Sequence, residues 1–313
     1  MDIFLNSLMK MDRHAVQLSG YLIILVYLIF TPGCSGLLKS GKSDVRPTAI
    51  LFSSTVEGNW DICRFDIDSK ALKNLTQTVR VHERFPCWNP ISRSVIYCMD
   101  SSELIEFCRD GSTKTIVDGP QAVTYTNPRV SPDGQYLAYV IYTIQGITED
   151  GDIYILDMRT GKSRLLVNLP GHQFNPVWSH DGYCLAFMSG ERRGAYDIWL
   201  VRRDGSEPRV VVKSDYFDNQ PDLSPSGKQI VFTSNRTGDC EIWLCDLETN
   251  NLTQLTSRMG ADEYPRWSPD GSQILFTSYR QGHFQIWVMN ADGTKQRPLI
   301  TGDFDARDGE WVF

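Results

Sequence analysis

The residues best suited to chemistry stand at a fixed place before a repeated proline. Three residues before each proline the chain carries, in order, Glu83, Tyr125, Gln173, Asp218 and Asp262, and Asp305 and Asp308 stand near the corresponding place at the end of the chain. Carboxylate and amide oxygens are ligands for Ca²⁺, so a ring of such residues could hold a cation in a central channel. The alternative is that each side chain accepts hydrogen bonds within its own loop, which is the commoner use of these residue types.

Two histidines lie close to the same positions. His82 and His172 each stand four residues before the proline of their segment. A catalytic metal site needs three or more ligands and an acid–base group, and the other histidines fall in different turns and loops. A transition-metal site at His82 and His172 is therefore one hypothesis, and two ordinary surface histidines are the other.

Aromatic and arginine side chains are frequent in the same loops and in those that follow the next strand. In chain order they are Tyr125, Phe174, Arg193, Tyr216, Phe217, Arg236, Tyr264, Arg280 and Phe304. Tyr and Arg are prominent in protein interfaces, and aromatic rings also stack on sugars, so a protein or a cell-wall glycan is the predicted partner. The sequence contains no Gly-x-Ser-x-Gly, phosphate-loop or His-Glu-x-x-His motif, so we assign no catalytic residue.

A repeat of about 45 residues positions these groups. Its clearest mark is a turn at Ser131-Pro-Asp-Gly134, which recurs at Ser179–Gly182, Ser224–Gly227 and Ser268–Gly271. Each turn follows Pro-x-Trp or a relative and precedes an alternating apolar strand, a loop, a second strand such as Asp197-Ile-Trp-Leu200, and another tight turn. Four antiparallel strands per unit are typical of a propeller blade. Both kinds of tight turn should share one face, and the longer loops should form the opposite, binding face.

The two ends of the chain complete the ring. The first unit, which begins with Ala49-Ile-Leu-Phe52, has no first strand, and the terminal segment Gly309-Glu-Trp-Val-Phe313 imitates one. We therefore predict an all-β, six-bladed propeller of four-stranded antiparallel blades over residues 48–313, closed by the C-terminal strand in the first blade. Tryptophans inside the strand pattern, namely Trp178, Trp199, Trp243, Trp267 and Trp287, are assigned to packing between blades.

The first 47 residues have a different character. Tyr21–Phe30 is an uninterrupted apolar run of ten residues behind Lys10 and Arg13, too short to span a bilayer and typical of a signal peptide. Cys34 follows a small residue, as in a bacterial lipobox, although Thr31 and Pro32 depart from that pattern; Met9 and Met11 are alternative starts. We predict a lipoprotein-like signal over residues 1–33, lipidation at Cys34 and a flexible tether over residues 34–47.

Composition narrows the classes of partner. With 31 basic and 38 acidic residues the chain has a net charge of −7, which argues against nucleic acid. Its hydrophobic content of 41% suits a soluble globular body.

The repeat consists of Pro-x-Trp-Ser-Pro-Asp-Gly, an apolar strand, Asp/Glu-Ile-Trp/Tyr and Leu-Thr. It resembles the WD-like propeller repeat of the TolB family, which are periplasmic proteins of the Tol–Pal system. Residues 260–293 carry the resemblance most clearly, and it extends over residues 48–313. The α/β domain that precedes the propeller in that family has only the short tether in its place here. Similar repeats occur in peptidase propellers and in oligogalacturonate lyases.

The resemblance implies a docking role at a bacterial envelope. The expected function is that of a non-catalytic, lipid-anchored monomer without a cofactor, which binds an envelope protein or cell-wall glycan through its loops. The alternative is a metal-dependent polysaccharide lyase that uses His82, His172 and the acidic positions.

Overall fold

The computed structural model describes residues 46–119, 123–145, 148–190 and 195–313, and these form short β-strands joined by turns. The first eleven strands are β1 (Ala49–Ser54), β2 (Asp61–Asp66), β3 (Leu72–Asn74), β4 (Glu83–Asn89), β5 (Ser94–Met99), β6 (Glu103–Phe107), β7 (Thr113–Asp118), β8 (Val123–Val130), β9 (Tyr136–Gln145), β10 (Thr148–Asp157) and β11 (Lys162–Leu165). The remainder are β12 (His172–Trp178), β13 (Cys184–Gly190), β14 (Tyr196–Arg202), β15 (Arg209–Val212), β16 (Asp218–Leu223), β17 (Gln229–Thr237), β18 (Asp239–Asp246), β19 (Leu252–Gln254), β20 (Asp262–Trp267), β21 (Gln273–Ser278), β22 (Gln285–Asn290), β23 (Arg297–Ile300) and β24 (Ala306–Val312). The described ranges contain no helix long and apolar enough to cross a bilayer.

The strands form six four-stranded antiparallel sheets, which are the blades of a propeller. Blade 1 is β24-β1-β2-β3, and blades 2 to 6 are β4–β7, β8–β11, β12–β15, β16–β19 and β20–β23. The first strands of neighbouring blades contact one another around the ring, so these six strands surround the central axis. The predicted fold is confirmed, including the closure, because β24 pairs with β1 from Ala49 opposite Val312 to Ser54 opposite Ala306.

The hydrophobic core is divided among the contacts between blades. Each of six apolar clusters is shared by two adjacent blades, and together they join all six. The five tryptophans assigned to packing all lie in or against these clusters. The indole N–H of Trp178 also donates to the carbonyl of Arg129 in the preceding blade at 2.9 Å. Burial between blades thus explains why an aromatic residue recurs at these positions.

Every innermost strand contains the same irregularity. The residue directly before the proline, or before Gly309 in β24, has a φ of 51–59°, and the pairing register shifts there. The six residues are Phe85, Asn127, Asn175, Gln220, Tyr264 and Asp308. Such a bulge resets the alternation of side chains between the two faces of a strand. Since all six blades share it, the positive φ belongs to the architecture of the inner ring and does not mark one special site.

Candidate functional site

The acidic and amide residues that precede the prolines are buried inside the ring. Glu83, Gln173, Asp218 and Asp262 are at most 1% exposed, and Tyr125 is buried as well. The sequence placed them around the open mouth of a channel, whereas their side chains are enclosed by their own loops and by neighbouring strands. They therefore contribute little to an accessible binding face.

Two of these carboxylates form ion pairs within their own blades. Both oxygens of Asp218 lie 2.8–2.9 Å from Nη2 of Arg236, and Asp218 also accepts a bond from the Ser214 hydroxyl at 2.7 Å. The Arg236 guanidinium lies 4.8 Å from the ring of Trp243. Asp262 and Arg280 repeat the arrangement one blade later. The partners of Asp218 are thus a serine hydroxyl just before its strand and an arginine of the next strand.

Carboxyl groups of adjacent blades also approach one another near the loop face. Glu83 in β4 accepts hydrogen bonds from the hydroxyls of Thr78 and Thr76 at 3.1 and 3.4 Å. Burial, with Asp61 of the preceding blade adding repulsion, raises the pKa of Glu83 to about 7. Burial likewise raises the pKa of Glu241 to about 7, with Asp262 as its acidic neighbour. Each pair therefore favours the protonated form of one carboxyl.

Because of these two glutamates, we expect the stability of the folded protein to fall as pH rises. The folded protein binds the proton of Glu83 more tightly than the unfolded chain does. The stability that protonated Glu83 contributes is therefore fully present below the ordinary pKa of 4.5 and is lost as pH rises through about 7. Glu83→Gln keeps the hydrogen bonding without the charge and should raise Tm at pH 8 by about 2–4 °C, with little change at pH 4. Thermal unfolding at both pH values measures this, with the exposed Glu248→Gln as control; equal shifts in the two variants would contradict it.

The two candidate metal ligands stand in different settings. The imidazole of His82 is exposed, and its Nδ1 accepts the backbone N–H of Trp60 at 3.3 Å. His172 is buried and stacks on Phe174, with ring centroids 6.1 Å apart. His82 directly precedes β4 of blade 2 and His172 begins β12 of blade 4. The part of the chain that the structure describes brings together no group of three His, Cys, Asp or Glu side chains suited to a metal. The described residues thus do not fit a metal of the lyase type.

The other predicted binding residues divide between surface and interior. Tyr216 is exposed, whereas Phe217 packs edge-on against Tyr196 at 4.9 Å. Asp305 accepts the backbone N–H of Phe284 at 2.9 Å, which fixes the loop before β24. Arg193 and Cys34 lie outside the described residues.

Exposed and half-buried side chains form a compact group on the loop face, and of its members the sequence had singled out only Tyr264. We call Met259, Tyr264, Tyr279, Phe284 and Arg307 the Met259 patch. Met259 is 87% and Tyr279 44% exposed. The rings of Tyr279 and Phe284 lie 4.8 Å apart, and the Arg307 guanidinium lies 3.9 Å from the Phe284 ring. The patch combines an adaptable thioether with aromatic and guanidinium surfaces, a composition typical of interface centres.

Backbone contacts hold the loop of Met259 beside Tyr279. The Tyr279 N–H donates to the carbonyl of Ala261 at 2.9 Å. Gly260 has a φ of 100°, and a Cβ at this position would lie 3.1–3.2 Å from the backbone of Tyr279 and Arg280. Glycine is therefore needed for the two loops to approach so closely.

On the opposite face, the tight turns surround a cavity of about 350 Å³ on the central axis, which we call the funnel. Three repeat positions from every blade line it. The position between proline and tryptophan supplies Glu310, Cys87, Arg129, Val177, Asp222 and Arg266; the next supplies Trp311, Trp88, Val130, Trp178, Leu223 and Trp267; the turn supplies Phe313, Pro90, Pro132, His180, Pro225 and Pro269, with Ser268 beside them. The funnel is thus apolar at its mouth and charged at its base.

Two arginines at the base are anchored by backbone carbonyls. Nη1 of Arg129 donates to the carbonyls of Pro86 and Pro128 at 3.4 and 3.1 Å. Nη1 of Arg266 repeats this with the carbonyls of Pro221 and Pro265, at 3.4 and 3.0 Å. Because they belong to blades 3 and 6 of a six-bladed ring, the two guanidiniums approach the axis from opposite sides.

Two acids balance these charges. Oε2 of Glu310 lies 3.9 Å from Nη1 of Arg129 and 3.8 Å from Nε of Arg266. Asp222 accepts the backbone N–H of Trp267 at 2.6 Å. Burial raises the pKa of Asp222 to about 6, although Arg266 opposes the shift. The sequence reasoning missed this group because the position before tryptophan varies freely in type; its fixed place in the repeat was the available signal.

Comparison with known proteins agrees with this geometry. A family model described as the TolB beta propeller domain, PD40, matches residues 102–244 and 209–312. A TolB homologue from Chlorobium luteolum is 31% identical over 138 residues, which is 44% of this chain and 30% of that protein. The alignments span about a third or less of the length of the curated relatives that head this comparison.

Two solved structures share the propeller. TolB from Acinetobacter baumannii superimposes with a TM-score of 0.70 at 19% identity, over 84% of this chain and 66% of that one. An oligogalacturonate lyase in complex with manganese gives a TM-score of 0.61 at 18% identity, over 82% of this chain and 74% of its own. At these identities the likeness concerns the fold alone.

Proposed function

Because this chain belongs to the TolB β-propeller family, we propose that it is a non-catalytic binding protein of the bacterial cell envelope. Family membership supports an envelope setting and a role in binding other proteins. The proposal also includes a signal over residues 1–33, a lipid anchor at Cys34, a tether over residues 34–47 and a monomeric state. The anchor would hold the propeller near a membrane surface, where its loop face could meet an envelope partner.

The Met259 patch is the observation that carries this function. Met259 and Tyr279 present large apolar surfaces to solvent on a rigid blade edge, and their supporting contacts fix the loops before binding. A preordered patch loses less conformational entropy on association than a mobile loop does. Within the patch, Arg307 is held by Glu263 at 2.7 Å and stacks on the Phe284 ring, so its guanidinium is fixed in place before binding. A protein is favoured over a glycan as the partner, because methionine and guanidinium surfaces suit a protein interface.

The predicted effect of the patch on binding can be measured by capture from an envelope extract. The double variant Met259→Ser/Tyr279→Ala should lose about tenfold or more of the captured envelope protein, since central aromatic anchors often contribute 2 kcal/mol or more. The matched control is Ile91→Ser/Tyr183→Ala, two exposed apolar residues on the tight-turn face. Equal capture by both variants, with unchanged Tm, would contradict docking through the Met259 patch.

No observation specifically favours the alternative function of a polysaccharide lyase. Its two histidines belong to different blades, and His172 is buried against Phe174. We therefore retain one proposed function.

A further inference from the structure

The funnel is separate from the proposed docking surface and lies on the opposite face. Its volume of about 350 Å³ falls within the range of cavities that hold small molecules, about 300–1,000 Å³. Tryptophan, proline, valine and leucine side chains, with Phe313, form most of its wall, and its charged groups converge at the base. This combination suits a ligand with an apolar body and one charged end.

The charges at the base specify the kind of charged end. Arg129 and Arg266 are 7% and 6% exposed, and each is held by two carbonyls through a single nitrogen, Nη1. A guanidinium has five N–H donors, so both retain unused capacity. Their separations from Glu310, 3.8–3.9 Å, are longer than the 2.7–2.9 Å of charge-assisted hydrogen bonds. Among the described residues no hydrogen bond reaches the Glu310 carboxylate, so Glu310 offsets part of the charge of the two arginines without saturating their donors.

We propose that the funnel binds a small organic carboxylate, whose apolar body packs against the tryptophan and proline wall and whose carboxylate takes the place of Glu310 between Arg129 and Arg266. Glu310 then competes with the ligand carboxylate for the two arginines. Together with Asp222 it balances the charge of the two arginines, and its own charge must be offset or displaced when the ligand enters. The proposal does not depend on the docking role of the Met259 patch.

The same geometry makes binding dependent on pH. At neutral pH the two arginines are balanced by Glu310 and Asp222. Asp222 faces Arg266, Glu310 and Arg129 across the base, while His180 and Cys87 lie elsewhere on the wall. Burial raises the pKa of Asp222 to about 6, so below that pH the base gains one positive charge. A carboxylate should therefore bind more tightly at pH 5.5 than at pH 7.5.

The test uses the full chain with 4-phenylbutyrate as the probe and the neutral 4-phenylbutan-1-ol as its uncharged counterpart. Four of the eight tryptophans line the funnel, so intrinsic fluorescence reports binding directly, and calorimetry gives the dissociation constant. We expect saturable binding of the acid, at least tenfold weaker binding of the alcohol, and about threefold tighter binding of the acid at pH 5.5 than at pH 7.5.

Two variants should move the affinity in opposite directions. Glu310→Gln removes the competing charge at constant shape and should tighten binding of 4-phenylbutyrate by about tenfold, whereas Arg129→Gln should weaken it by about tenfold or more. Arg203→Gln, a half-exposed arginine on the same face, should change neither. If Arg129→Gln fails to fold, Glu310→Gln still decides. The proposal is overturned if Glu310→Gln binds the acid no more tightly than the wild type, or if the alcohol binds as well as the acid.

Discussion

Deleting residues 309–313 should abolish cooperative folding of the whole propeller. These residues form the larger part of the strand that completes blade 1. Trp311 is buried in the cluster between blades 6 and 1, and Val312 in the cluster between blades 1 and 2, so one short segment supports two contacts. Removing a buried tryptophan alone costs about 3–5 kcal/mol, against a total stability of about 5–15 kcal/mol. The loss also exposes β1 as an unpaired edge, which favours aggregation.

Circular dichroism and thermal unfolding of the truncated chain provide the measurement. The control is deletion of Phe313 alone, which is 41% exposed and should change stability by about 1 kcal/mol or less. A truncated chain that unfolds in one cooperative transition near the wild-type Tm would show that the ring does not need its terminal strand.

The second large effect concerns the buried ion pair of blade 5. Arg236→Met should destabilise the protein by about 3–5 kcal/mol, because it leaves Asp218, which is fully buried, without its counter-charge. Asp218→Ala should have a similar effect, since it leaves the Arg236 guanidinium unpaired against Trp243. The double variant should lose less stability than the sum of the two single losses, because each single change leaves the other partner buried and unpaired.

Chemical denaturation of the three variants gives the coupling energy. The exposed pair Lys228–Glu248 is the matched control, and Glu248→Ala should cost about 0–1 kcal/mol. The alternative interpretation of Asp218 and Arg236 is that they form a binding site. If so, single variants would lose partner capture while keeping wild-type stability, and that result would contradict the structural role.

The sequence predicted the architecture because the features that define it are local and repeated. Tight turns with glycine, alternating strands and the tryptophan positions each follow from a few neighbouring residues, and the missing first strand of blade 1 matched the end of the chain. The bulge before each proline could not be predicted in this way. Phe85, Asn127 and Asp308 share a backbone conformation although one side chain is aromatic, one an amide and one an acid, so residue type gave no uniform signal.

The candidate site was harder to predict, because it depends on partners far apart in the sequence. The burial of Asp218 follows from Arg236, 18 residues later on the next strand. The repeated Ser-x-Arg-x-Gly segments around Arg236 and Arg280 offered a signal that the acids before proline would be paired. The base of the funnel assembles one residue from each of six blades, and only the closed ring brings Arg129, Arg266 and Glu310 together.

The position of β24 has a consequence for how the protein is made. Blade 1 pairs β1 with β24, so it cannot be completed until the strands of the other five blades have been synthesised. Until then β1 lacks its partner strand, and an unpaired strand edge is prone to wrong pairing. Closure of the ring is therefore a late event, in which β24 meets β1 and at the same moment brings Glu310 to the axis.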